Sequence, residues 1–305
     1  MNRRRFVLSV GLALVVLAGA CGGPRAASLG ELPPAARTPT PQPGAVASHR
    51  DLAYADGART LDLYLPSGGA PAPVVVWLHG GSWVAGDKRP APGVLLGLRD
   101  RGFAVASVNY RLTGLNSHPA QLHDVKGAVR WLRAHAAEYG LDPSRVYLAG
   151  FSAGGHLASL AALTSGDASL EGDVGGNRDQ SSAVAGAVVY AGPSDLLRLA
   201  GECTGCEVSE QFQALGCSFL LCGERGRTAS PLTHVYRDAP PFLLLHGDAD
   251  RVIPLEQARI FDEALRGVGA SARLVVVAGG QHGLLDATAD EATREFLLRL
   301  AGLAR

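Results

Sequence analysis

The chain has 305 residues, with 28 Lys and Arg against 28 Asp and Glu, and 47% of it is hydrophobic. Neutrality with no basic run beyond Arg3-Arg4-Arg5 leaves no electrostatic footprint for nucleic acid, and so much apolar material excludes a chain disordered throughout. Five cysteines, an odd number, leave one to be accounted for outside any set of pairs.

Met1 to Arg5 is basic and Phe6 to Ala20 is almost unbroken apolar, a run too short for a permanent membrane span and suited to a secretory signal peptide over 1–20. Leu17-Ala18-Gly19-Ala20-Cys21 resembles a bacterial lipobox, which would make Cys21 the lipidated N-terminus, although Ala18 stands where Leu is commonest. Ala18-Gly19-Ala20 also satisfies ordinary signal cleavage. Arg3-Arg4-Arg5 fits either a twin-arginine signal or the basic start of a general one. Residues 21–48 are rich in Pro, Ala, Gly, Ser and Thr and read as a disordered tether. The expectation is an exported cell-envelope lipoprotein, or otherwise a secreted or periplasmic protein, touching a membrane only through that lipid.

The folded part is expected over 49–305. Short apolar, β-branched runs recur there: Leu61 to Leu65, Val74 to Leu78, Phe103 to Val108, Val146 to Ala149, Val184 to Tyr190, Phe242 to Leu245 and Leu274 to Val277. Most are continuous rather than alternating, the pattern of strands buried on both faces. Between them Leu122, Val125, Val129 and Leu132 share a helical face, as do Ala258, Phe261, Leu265 and Val268, and Ala292, Phe296 and Leu300. Strand and helix alternate, which predicts an α/β architecture with a mainly parallel sheet. A long segment before the Phe242 strand breaks the rhythm. Its core, about 196–236, reads as an insertion, with Cys203, Cys206, Cys217 and Cys222 as disulfide candidates in an exported chain and zinc as the alternative. Four cysteines allow three pairings, and sequence does not choose among them.

Gly150-Phe151-Ser152-Ala153-Gly154 follows a strand directly and opens a helix. That is the context in which G-x-S-x-G projects a serine hydroxyl from a strained turn whose neighbours cannot carry side chains. His79-Gly80-Gly81-Ser82-Trp83 ends another strand, where glycines let backbone N–H groups approach a substrate oxygen. A nucleophilic serine needs a base, and the base needs an anion to fix its tautomer. His282, after the last strand, is the candidate base. Asp250, in His246-Gly247-Asp248-Ala249-Asp250, is its candidate partner, with Asp248 as the alternative. His79 and His246 are expected to hold turns, and His156 to be a packed helix residue.

With these stretches, Leu61-Asp62-Leu63-Tyr64-Leu65-Pro66, Val108-Asn109-Tyr110-Arg111-Leu112 and Asp124 to Arg133, the chain resembles the α/β-hydrolase superfamily. Within it the likeness is to bacterial carboxylesterases similar to hormone-sensitive lipase and to bacterial feruloyl esterases. The resemblance implies a mainly parallel eight-stranded sheet with helices on both faces and the cysteine-bearing insertion between the sixth and seventh strands. It assigns Ser152 as nucleophile, His282 as base and Asp250 as its partner, with N–H groups of Gly81, Ser82 and Ala153 as the oxyanion hole and Asp124 as structural. It implies hydrolysis of short acyl or aryl esters, free or polysaccharide-linked, without metal or cofactor. Two departures stand out. Ser82 replaces the glycine usual in lipase-like relatives, which favours the feruloyl-esterase-like branch, and the stretch before His79 has no room for N-terminal cap helices, so the insertion is expected to shape the acyl pocket. The same residues would serve an amide or peptide hydrolase, and a non-catalytic binding lipoprotein is the reading from another class.

Overall fold

The computed structural model describes residues 48–304 except 69–70, 115, 203–214, 216–221 and 284–285. The signal segment, Cys21, the tether as far as residue 47, Cys203, Cys206 and Cys217 lie outside the described residues. Eight strands form one sheet: β1 (His49–Ala53), β2 (Thr60–Tyr64), β3 (Ala72–Leu78), β4 (Ala104–Val108), β5 (Leu141–Phe151), β6 (Ala187–Tyr190), β7 (Phe242–Gly247) and β8 (Ala272–Val277). Their order is β1-β2-β4-β3-β5-β6-β7-β8, with β1/β2 and β2/β4 antiparallel and every later pair parallel. Every residue of β3, β4, β6 and β7 is buried, which is why these runs are continuously apolar.

The pleat sorts side chains to two cores. From β3, Val74, Val76 and Leu78 join one cluster, while Val75 and Trp77 join the other. Among the described residues, six helices of seven residues or more carry the layers: α1 (Ala120–Ala134), α2 (Ala153–Leu163), α3 (Leu196–Glu202), α4 (Gly223–Ala229), α5 (Glu256–Gly267) and α6 (Ala287–Leu300). α1 and α2 pack through Leu122, Val125, Val129, Leu157 and Leu160 on the first face. α6 covers the opposite face with Ala292, Phe296 and Leu297. α5 adds Phe261 and Leu265 against Phe242, Leu244 and Val189.

Two expectations need correction, and one strand carried no signal in the apolar runs. β1 had no apolar signal: it is an edge strand whose Asp51, at φ 53°, pairs with Lys88 at 2.7 Å and Arg89 at 2.8 Å, so charge rather than burial ties it down. Val268 does not face the core; it caps α5 and is 36% exposed. The run from Val184 enters the ladder only at Ala187. Between β6 and β7 the chain forms α3, α4 and a short 3-10 turn, Pro231–His234, and of the four cysteines there only Cys222 is described, fully buried at the start of α4.

Candidate active site

Parallel strands β3 to β8 bring their carboxyl ends to one edge, and the candidate triad and oxyanion-hole residues lie there. β5 runs into Ser152, which takes φ 53° and ψ −117° before α2 begins at Ala153. A non-glycine residue in that region costs about 1–3 kcal/mol and must be held by its surroundings. Here the Ser152 N–H donates to the Tyr190 carbonyl at 2.8 Å, tying the turn to β6. The flanking glycines are steric necessities. A Cβ on Gly150 would lie 2.2 Å from the Gly154 oxygen, and one on Gly154 would lie 2.1 Å from the Leu78 oxygen. Gly154→Ala is therefore expected to cost at least about 3 kcal/mol in urea unfolding, because backbone cannot yield as a side chain can. Gly97→Ala, in helical conformation with nothing within 4 Å of its new methyl, is the control and should stay within about 0.5 kcal/mol of wild type.

The loop after β3 carries Gly81, Ser82 and Trp83 at φ 115°, 52° and 62°. Among the described residues none accepts a hydrogen bond from the N–H of Gly81, Ser82 or Ala153. The loop is braced from behind. His79 stacks on Tyr110 at 4.3 Å, Tyr110 Oη donates to the His79 carbonyl at 2.7 Å, and Nδ1 of His79 donates to the Gly80 carbonyl at 2.8 Å. Downstream, the Lys88 N–H donates to Asn109 Oδ1, and Arg89 forms a two-pronged pair with buried Asp62. Arg111, the next residue after Tyr110, pairs with fully buried Asp124 of α1 at 2.8 Å, a structural contact.

His282 lies between the serine and a carboxylate. Its Nε2 is 3.1 Å from Ser152 Oγ and its Nδ1 is 2.8 Å from Asp250 Oδ2, with the Phe151 ring packed at 4.9 Å. The Asp250 side chain is fully buried, which by itself would raise its pKa. The nearby His246 ring and the hydrogen bonds from His282 and the Ile253 N–H outweigh that burial and hold the carboxyl well below the usual range. Asp250 Oδ1 accepts from the N–H groups of Val252 and Ile253 at 2.8 and 2.9 Å. His246 donates Nε2–H to the Ile253 carbonyl at 2.8 Å and stands 3.5 Å from Asp250, so it holds the turn. Asp248 faces elsewhere: its Oδ1 accepts from the Gly279 N–H at 2.6 Å, and the Ala249 N–H donates to the Gly280 carbonyl at 2.9 Å. These two contacts stitch the Asp250 loop to the His282 loop. Gly247 and Gly280 permit that approach, since a Cβ on Gly247 would lie 2.0 Å from the Gly280 oxygen.

A serine hydroxyl against an imidazole fixed by a buried carboxylate is the arrangement that lets a serine lose its proton as it attacks. Residues 61–265 match the BD-FAE family. The chain belongs to the BD-FAE family. It is an α/β-hydrolase, and its eight-stranded order sits beside esterase structures. The chain is 34% identical over 246 residues to esterase LipQ of Mycobacterium tuberculosis, covering 76% of this chain and 56% of that one. A truncated form of a carbohydrate esterase from gut microbiota superposes with a TM-score of 0.79 at 28% identity, covering 87% of this chain and all of that one. The thermophilic esterase Est2 of Thermogutta terrifontis, solved with butyrate bound, superposes with a TM-score of 0.71 at 26% identity, over 86% of this chain and 96% of that one. The chain spans about half the length of the curated relatives it matches, 46% to 59% for the three from M. tuberculosis.

Sequence reading passed over two residues that sit beside this site. Trp83 donates its indole N–H to His156 Nδ1 at 3.2 Å, and His118 lines the small cavity next to both. Among the described residues no group of three or more His, Cys, Asp or Glu is arranged to hold a metal ion.

Proposed function

We propose that this protein is a serine carboxylesterase that hydrolyses short-chain acyl or aryl esters through an acyl-enzyme on Ser152. The observation that carries the reading is the unbroken contact chain from Ser152 Oγ through His282 to Asp250, at 3.1 and 2.8 Å. Ser152 Oγ attacks the ester carbonyl as its proton passes to His282 Nε2. The N–H groups of Gly81, Ser82 and Ala153 receive the oxyanion, and removing one such donor typically costs on the order of 10²–10³ in rate. His282 protonates the leaving alcohol, and water then releases the acid by the same route. Every step uses this chain's own groups and water.

The names of LipQ and Est2 support ester chemistry, the butyrate bound to Est2 supports a short acyl group, and the carbohydrate esterase supports a sugar-linked alcohol. The segment between β6 and β7 forms the wall of the acyl pocket in this reading, with its cysteines in disulfides, which suits the full burial of Cys222. Export with lipid attachment at Cys21 completes the proposal, resting on the sequence of the first 48 residues.

The test is hydrolysis of p-nitrophenyl esters from acetate to laurate, a feruloyl ester and a matched anilide, together with labelling by a serine-reactive phosphonate. Ester turnover should fall as the acyl chain lengthens, and a single label should map to Ser152. Anilide turnover exceeding ester turnover would make the protein an amide hydrolase. A cooperatively melting protein with neither turnover nor label would make it a binding protein.

A further inference from the structure

His156 sits in the first turn of α2, and its N–H donates to the Ser152 carbonyl at 2.9 Å. The residue is 3% exposed, wedged between the loop after β3 and the last helix before β7. Its Nε2 lies 2.6 Å from the Ala229 carbonyl at the end of α4. A carbonyl only accepts, so Nε2 carries the ring proton and Nδ1 presents a lone pair. That lone pair takes the indole N–H of Trp83 at 3.2 Å, and the rings meet edge to face at 88° with centroids 5.2 Å apart. Burial pushes the imidazole down to about 4, so the ring stays neutral near pH 7 and keeps one donor and one acceptor.

Trp83 needs such an anchor. It and Ser82 are consecutive non-glycine residues in left-handed conformation, at φ 62° and 52°, a state that persists only where surroundings impose it. The His79 end of the loop is held by Tyr110, and the Lys88 end by Asn109. Between them the indole is the large side chain that reaches α2. We propose that His156 is a positioning residue for the oxyanion hole: through Trp83 it fixes the N–H groups of Gly81 and Ser82, and through Ala229 it couples them to the segment between β6 and β7. The inference rests on the esterase reading and adds to it a route by which that segment bears on catalysis rather than on binding alone.

Glutamine can reproduce both contacts, offering Oε1 to the indole and Nε2–H to Ala229, whereas leucine keeps volume and loses both. The experiment compares full-length wild type with Ser152→Ala, His156→Gln, His156→Leu and Trp83→Phe. It reads kcat and KM on p-nitrophenyl butyrate and the inhibition constant of a trifluoromethyl ketone, whose hydrated or serine-bound oxygen mimics the oxyanion. His156→Leu and Trp83→Phe should lower kcat about 10- to 100-fold while KM moves less than about twofold, and ketone affinity should fall in parallel with kcat. His156→Gln should recover kcat to within about threefold of wild type. A cooperatively melting His156→Leu protein with wild-type kcat and ketone affinity would overturn the proposal, as would a glutamine variant as impaired as the leucine one. If the leucine variant fails to fold, Trp83→Phe decides alone, since it keeps an aromatic ring and removes the N–H; unchanged kcat there overturns the proposal. Turnover that persists in Ser152→Ala overturns the esterase reading and this inference with it. Ser152-dependent turnover that ignores Trp83 and His156 overturns this inference only.

Discussion

Ser152→Ala, His282→Ala and the double variant are expected to share one floor of ester turnover, on the order of 10⁶ below wild type, because the two groups act as a unit and the second deletion has nothing left to remove. The geometry gives the reason: Ser152 Oγ and His282 Nε2 stand 3.1 Å apart, so in the proposed mechanism the proton passes between these two groups and either deletion removes the same step. Asp250→Asn should fall less far, on the order of 10⁴ in kcat, by a mechanism readable from its hydrogen bonds. Oδ1 of Asp250 accepts from the N–H groups of both Val252 and Ile253, so an asparagine there must keep its amide oxygen on that side. The amide NH₂ then faces His282 Nδ1, where the carboxylate oxygen stood at 2.8 Å. Two donors cannot face each other, so Nδ1 must become the acceptor and the ring proton moves to Nε2, which can no longer accept from serine. Steady-state kinetics on p-nitrophenyl butyrate, beside a thermal melt of each variant, measure this. An Asp250→Asn enzyme with wild-type kcat would refute the tautomer argument, and a serine-free enzyme that turned over at the wild-type rate would refute the mechanism.

What sequence alone could reach depended on whether a residue's constraint was local. Gly150 was legible because the clash its Cβ would make is with Gly154, inside the same five-residue turn, and the central strands because burial on both faces leaves an apolar run in the chain itself. β1 was not legible, since Asp51, Lys88 and Arg89 are paired across a long stretch of chain and leave no periodicity in His49–Ala53. The choice between Asp248 and Asp250 had a faint local signal: Asp250 stands two and three residues before the N–H groups it caps, and that turn fixes its other oxygen toward His282. Trp83, His156 and Ala229 had none. Each contact in that series spans 73 residues, and every member reads in isolation as core filling.

Acidification from pH 7 toward pH 4 is expected to unfold this protein well before its carboxylates lose their charge, because buried histidines are held neutral in the native state. Burial pushes His156 down to about 4, and burial together with the charges of His156, His123, His234 and Arg225 pushes His118 down to about 3, against 6.5 for a free imidazole. His79 and His123 move in the same direction, burial being the leading cause for each. Between pH 6.5 and about 4 the unfolded chain therefore binds protons that the native state refuses, so stability rises with pH across that window and is lost as pH falls through it. Each such histidine adds up to about 1.4 kcal/mol per pH unit, so His118 and His156 together reach about 2.7 kcal/mol per unit, a steep loss against a total of about 5–15 kcal/mol. The Nε2 of His118 is buried without a hydrogen-bond partner among the described residues. Urea unfolding free energies at pH 7, 6 and 5 measure the slope directly. His156→Gln, which keeps both hydrogen bonds and cannot titrate, should reduce it by about one proton. A stability that stayed flat from pH 7 to pH 5 would mean that these histidines take up protons in the folded protein, and the neutral ring on which the Trp83 contact depends would go with it.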